Sequence, residues 1–148
     1  MPQSLASVLI HLIFSTKNRE PTIPHERLAQ LHAYIVGILD NLECPSLRTG
    51  GVADHTHTLF SLSRTATIAE VVEEVKKGSS KWMKQQGVPH FAWQAGYAAF
   101  SVSESQKAAV IRYIERQEEH HKRHSFQEEV RTFLTRHGVA YDERYVWD

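Results

Sequence analysis

Three short patterns, Thr67-Ile-Ala-Glu70, Ser103-Glu-Ser-Gln106 and Ser125-Phe-Gln-Glu128, mark helix starts and so divide the chain into segments. In each, a Ser or Thr oxygen is spaced to accept the third backbone N–H of a helix while the Glu or Gln reaches back to the cap, satisfying two otherwise unpaired donors. Gly87 and Gly138 stand where the first and third of these helices stop, since glycine tolerates the left-handed cap conformation. The second box opens a long helix through VIRYIERQEEHH. A further helix follows Pro24 through RLAQLHAYIVGIL, where Leu28, Leu31, Ile35, Ile38 and Leu39 form an apolar stripe suited to packing on a sheet.

The intervening segments read as strands. Leu5 to Ser15 is rich in Val, Leu, Ile and Phe and is short enough for a buried strand, ended by Lys17, Asn18 and Arg19. Leu47 to Val52, containing Gly50-Gly51, and His55 to Leu62 predict a hairpin, and Phe91 to Ser101 one or two strands. The order is β-α-β-β-α-β-α-α. It predicts an α+β fold in which a ferredoxin-like antiparallel sheet carries helices on one face, with two C-terminal helices appended after the βαββαβ core.

The 148 residues suit a single domain spanning 1–148. A hydrophobic fraction of 41% with 23% charged residues fits a soluble globule, and no apolar run approaches the roughly 20 residues of a membrane span. His11 interrupts the N-terminal apolar stretch, which argues against a secretory signal. Cys44 is the only cysteine, which excludes an internal disulfide and suits the cytoplasm.

Two polar motifs carry the chemistry. His55-Thr56-His57 in a strand puts both imidazoles on one face, since side chains alternate across a sheet, and together they form half of a metal site. Tyr113 and Gln117, at i and i+4 on a helix, offer a phenol nucleophile beside a neutral oxygen ligand. Thr56 faces the core, and Asp54 points away from the metal in a regular strand and serves to orient another group. Gln117, His120, His121 and His124 share helical spacing as a rival metal set, and the three histidines read more simply as surface or phosphate-contacting groups. A zinc hydrolase built on His55, His57 and a helix histidine is a competing reading.

The net charge is zero, with 17 basic and 17 acidic residues, but its distribution is uneven. No Asp or Glu falls between Lys76 and Ser103, and Lys77, Lys81 and Lys84 lie at i, i+4, i+7 on one helix face. Together with Lys17 and Arg19 they are candidates for contact with a phosphate backbone. Trp82 and Trp93 could stack on unpaired bases, although a core role fits them better.

In order along the chain, HLIFSTKNR, the DHTH motif, FAWQAGYAAFSVS and YIERQEEHH followed by FQEE resemble the single-tyrosine HUH transposases, the small insertion-sequence and repeat-associated transposases. The resemblance implies an enzyme that cleaves and rejoins single-stranded DNA with hairpin ends and works as a homodimer. It implies that His55, His57 and Gln117 hold a divalent metal, Mg or Mn, and that Tyr113 attacks the scissile phosphate. A member that grips DNA hairpins without cutting is the alternative. In the family the residue between the histidines is usually bulky and hydrophobic, whereas here it is Thr56.

Overall fold

The computed structural model describes residues 2–148. Its elements are β1 (Leu9–Ser15), α1 (Leu28–Asn41), β2 (Ser46–Val52), β3 (His55–Ser61), α2 (Ile68–Gln85), β4 (Ala98–Val102), α3 (Lys107–Glu115), α4 (Gln117–His120) and α5 (Phe126–Arg136). The strands form one antiparallel sheet in the order β2-β3-β1-β4. This is the ferredoxin-like arrangement that the order of elements predicts, with β1 and β3 at the centre.

Strand parity then assigns every side chain to one of two faces. Ile10, Leu12, Phe14 and Phe60 turn to the layer formed by α1 and α2, where they meet Leu31, Ile35, Leu39, Val71, Val75 and Met83 in the larger core. Leu9, Ile13, Leu59 and Phe100 turn to the other face, and the appended helices cover it: α3 through Ile114, and α5 through Phe126, Val130 and Leu134. The sheet is thus covered on both sides, with the core helices on one face and the additions on the opposite one. Both faces of β1 are buried along its whole length.

The capping boxes at Thr67 and Ser125 form as predicted, and Gly87 and Gly138 take positive φ just beyond their helices. The box at Ser103 does not form. The Ser103 hydroxyl pairs with that of Ser105 at 3.0 Å, and a single 3₁₀ turn over Glu104–Gln106 leads into α3. The long helix predicted beyond it is interrupted at Arg116, whose N–H is shared between the carbonyls of Arg112 and Tyr113 while the chain departs from helical dihedrals. The segment 91–101 supplies one strand, β4, and before it a lone bridge between Thr16 and Trp93. Trp93 is a core residue, buried against Phe14 and Phe91 and donating to Ser79 Oγ, and Trp82 stacks on Tyr34.

Gly50 fixes how closely α3 lies on the sheet. A Cβ built there would stand 3.0 Å from both the Cγ2 and the carbonyl oxygen of Ile114, tighter than ordinary van der Waals contact. Only the missing side chain lets the helix carrying Tyr113 settle beside the strand pairing with β3. Gly50→Val is therefore expected to overpack this seat at a cost of about 1–3 kcal/mol. Thermal unfolding should show a lowered Tm, and an unchanged Tm would mean that α3 is not held by this contact.

Candidate metal and nucleophile site

The antiparallel pairing of β1 with β3 sets Ile13 opposite His57 and Ser15 opposite His55, so both histidines stand on the face covered by α3 and α5. Both are fully buried. Thr56 points the other way, into the α1–α2 core, where its hydroxyl is buried without a hydrogen-bond partner.

Each imidazole is oriented by a neighbour. Asp54, in the two-residue turn before β3, places Oδ1 2.6 Å from His55 Nδ1, so that nitrogen carries a proton, and in the neutral ring Nε2 is then the lone-pair nitrogen. His57 Nδ1 lies 2.8 Å from Nε2 of His11, buried on the same face of β1. Burial pushes the pKa of both His11 and His57 down; the adjacent imidazole adds to this for His11, and Glu129 partly opposes it for His57. The rings are therefore neutral, the form in which imidazole binds metals.

The helices bring the remaining groups to these nitrogens. Gln117 Oε1 lies 3.0 Å from His55 Nε2, and the amide orientation is fixed because Nε2 of Gln117 is 3.2 Å from a carboxylate oxygen of Glu129. In the neutral tautomer that carries its proton on Nδ1, the Nε2 lone pair of His55 and the amide oxygen of Gln117 face each other across 3.0 Å. Two lone pairs aimed into one gap is an arrangement that a cation resolves. Glu129 on α5 places Oε1 2.9 Å from His57 Nε2, and its Oε2 accepts the hydroxyl of Tyr113. His120 and His121 approach Oε2 at 3.2 and 3.3 Å. Ligand atoms of His55, His57, His121 and Glu129 all lie within 4.8 Å of one another, a set able to hold a metal ion.

Electrostatics keep the two acids apart. Burial pushes the Glu129 carboxyl up, but His57, His121 and His55 together outweigh this and hold it well below the usual carboxylate range. Burial pushes the Tyr113 phenol up, and Glu129 raises it further, while Gln117 and Arg136 act in the opposite sense. Tyr113 is thus a neutral donor held against a carboxylate. Beside it opens a cleft of about 960 Å³ between β4, α3 and α5, walled by His11, Tyr113, His120, Glu129, Phe133 and Arg136.

Of the residues singled out from the sequence, His55, His57, Gln117 and Tyr113 meet at this one place, within one chain. Lys17 and Arg19 lie just beyond β1, where Thr16 N–H bonds to the Asp54 carbonyl at the histidine end of the sheet, and Arg19 stacks on Trp147. Lys77, Lys81 and Lys84 are exposed on α2, whose buried side packs on the opposite face of the sheet, so they do not line the site. His120 and His121, read as surface groups, turn inward, whereas His124 remains exposed. Sequence reasoning missed His11 and Glu129. The signal for Glu129 lies in α5, where it is the one charged residue in the stripe Phe126, Glu129, Val130, Phe133, Leu134.

The family model described as "Transposase IS200 like" matches residues 4–117, and the chain belongs to this family of HUH tyrosine transposases. Its function is that of a DNA transposase. Two solved structures share the fold. A candidate transposase from Deinococcus radiodurans R1 is 24% identical, with a TM-score of 0.61, covering 79% of this chain and 98% of that one. A REP-associated tyrosine transposase bound to a REP hairpin is 13% identical, with a TM-score of 0.62, covering 82% of this chain and 72% of that one. Comparison with curated proteins gave no match. No helix among the described residues is long and apolar enough to cross a membrane.

Asp54 fixes the tautomer that exposes Nε2 of His55, so Asp54→Asn is expected to weaken Mn²⁺ binding about 10- to 100-fold, as loss of a group orienting a metal-bound imidazole does. Isothermal titration measures this directly, and wild-type affinity in the variant would show that the Asp54 contact does not prepare the ligand.

Proposed function

We propose that the chain cuts and rejoins single-stranded DNA through a covalent link to Tyr113, at a metal centre held by His55, His57 and Gln117. The convergence of the Tyr113 hydroxyl with the facing lone pairs of His55 and Gln117 carries this reading. These residues fit a divalent ion such as Mg²⁺ or Mn²⁺, which when bound offsets charge on the non-bridging oxygens of the scissile phosphate. Imidazole ligands favour Mn²⁺ over the harder Mg²⁺.

Tyr113 performs the attack. As its oxygen bonds to phosphorus it loses its proton, and the bond from phosphorus to the 3′-oxygen of the departing strand breaks, leaving a phosphotyrosine and a free 3′-hydroxyl. Reversal of the same step by an incoming 3′-hydroxyl rejoins DNA without a nucleotide cofactor. The cleft beside Tyr113 gives the strand a way in, with Arg136 on its wall. A zinc hydrolase built on His55, His57 and the inward-turned His121 is the second reading, but it gives the Tyr113 hydroxyl beside the cluster no part in the chemistry.

A DNA hairpin is the partner we propose, in line with the REP hairpin bound by the similar transposase. Lys17, Arg19, Lys77, Lys81 and Lys84 are proposed to contact its phosphates, with the α2 lysines gripping duplex away from the cleavage point. A second copy of the chain is the other proposed partner, although one chain already assembles the chemical groups. The cytoplasm, where the DNA lies, is the proposed compartment.

Tyr113→Phe is expected to abolish the denaturation-resistant adduct with labelled single-stranded DNA in Mn²⁺ while leaving DNA affinity nearly unchanged, and His55→Ala with His57→Ala to abolish the metal-dependent cut. An adduct persisting in Tyr113→Phe would assign the nucleophile elsewhere. Reversing Lys77, Lys81 and Lys84 to Glu should weaken hairpin binding and flatten its salt dependence by up to about one counterion per lost phosphate contact. A salt slope equal to that of the wild type would remove α2 from the interface.

A further inference from the structure

The metal-binding reading above draws its protein ligands from residues 55–117, inside the segment that the family model matches. Glu129 lies beyond that segment, on the last helix, and its side chain is as buried as those of the two histidines. A carboxylate enclosed in this way costs several kcal/mol unless charge or donors compensate it. The groups nearest Oε1 are the two histidines of the motif, both of them ligands in the reading above.

The shortest of the distances suit neighbouring ligands of one ion. Oε1 stands 2.9 Å from His57 Nε2 and 3.6 Å from His55 Nε2, and Gln117 Oε1 stands 3.0 Å from His55 Nε2. Neighbouring ligands around an octahedral ion with bonds of about 2.0–2.1 Å are separated by about 2.9–3.0 Å. In the tautomer in which His57 Nδ1–H donates to His11, Nε2 of His57 and Oε1 of Glu129 face each other as two acceptors, repeating the arrangement at His55 and Gln117. The two oxygens of Glu129 divide their roles: Oε1 turns to the histidines, and Oε2 accepts from Tyr113 and from the Gln117 amide.

We propose that Glu129 is an anionic ligand of the metal centre, bound through Oε1, and that through Oε2 the same side chain holds Tyr113 at a fixed position relative to the ion. The inference rests on the reading of the site as metal-dependent. It makes α5 part of the site rather than a cover for the sheet, and it makes the net charge of the ligand set −1 instead of zero. An anionic ligand raises affinity for a hard divalent ion, which couples metal binding to the docking of the C-terminal helix.

The test is Mn²⁺ titration of the full chain, read by calorimetry and by the Mn²⁺-dependent rise in Tm, with wild type, Glu129→Gln, Glu129→Asp and Tyr113→Phe compared. Glu129→Gln should bind Mn²⁺ about 100-fold more weakly and lose most of the Tm rise, whereas Tyr113→Phe should keep wild-type affinity. Glu129→Asp keeps the charge but withdraws it by one methylene, and should weaken binding about tenfold; it decides the matter if Glu129→Gln does not fold. Anomalous diffraction from crystals soaked in Mn²⁺ should place Glu129 Oε1 in contact with the ion. Affinity in both Glu129 variants within twofold of wild type, or an ion with Glu129 turned away, overturns the proposal. The Tyr113 adduct assay then separates the two readings: an adduct formed by wild type alongside unchanged metal affinity in the variants removes only the role of Glu129.

Discussion

The buried carboxylate of Glu129 is the constraint around which the second face of the sheet is built. A charge withdrawn from water is tolerated only when its surroundings satisfy it, and here the surroundings are Tyr113, Gln117, His57, His120 and His121. These come from β3, from both halves of the interrupted helix and from the short turn after α4. A single side chain thus ties the appended helices to the central strand. The apolar contacts of Phe126, Val130 and Leu134 supply adhesion, and the carboxylate supplies the register.

The chain of positioning begins further back. Pairing of β1 with β3 sets His11 diagonal to His57 and puts both on the face away from α1 and α2. The short turn at Ala53-Asp54 returns the chain so that Asp54 meets His55 from outside the strand. Gly50 lets α3 approach β2, and the proximity of Ile114 to that glycine determines where Tyr113 stands one residue earlier. Each step is a backbone constraint, and the polar groups inherit their geometry from it.

Much of this was readable before the structure. The boxes at Thr67 and Ser125 are closed by hydrogen bonds within four residues, so local bonding decided them, and the hairpin followed from two β-rich runs, 47–52 and 55–62, with only Ala53-Asp54 between them. The box at Ser103 failed because a second hydroxyl, Ser105, lay within reach of the cap. The break at Arg116 left no mark in the pattern of apolar residues, and Tyr113 and Gln117 still converge on the same place across it.

The sequence by itself determined the order of elements, the side of the strand on which His55 and His57 stand, and the one-turn spacing that brings Tyr113 and Gln117 together. These depend on periods of two and of about 3.6 residues, which are properties of the local chain. Only the tertiary structure decided that α3 and α5 close over the histidine face, that His11 and Asp54 orient the two imidazoles, that His120 and His121 turn inward, and that the α2 lysines lie on the far side. Those outcomes depend on which surfaces meet across the sheet, and a carboxylate such as Glu129 shows its role only when the groups that surround it arrive from four other parts of the chain.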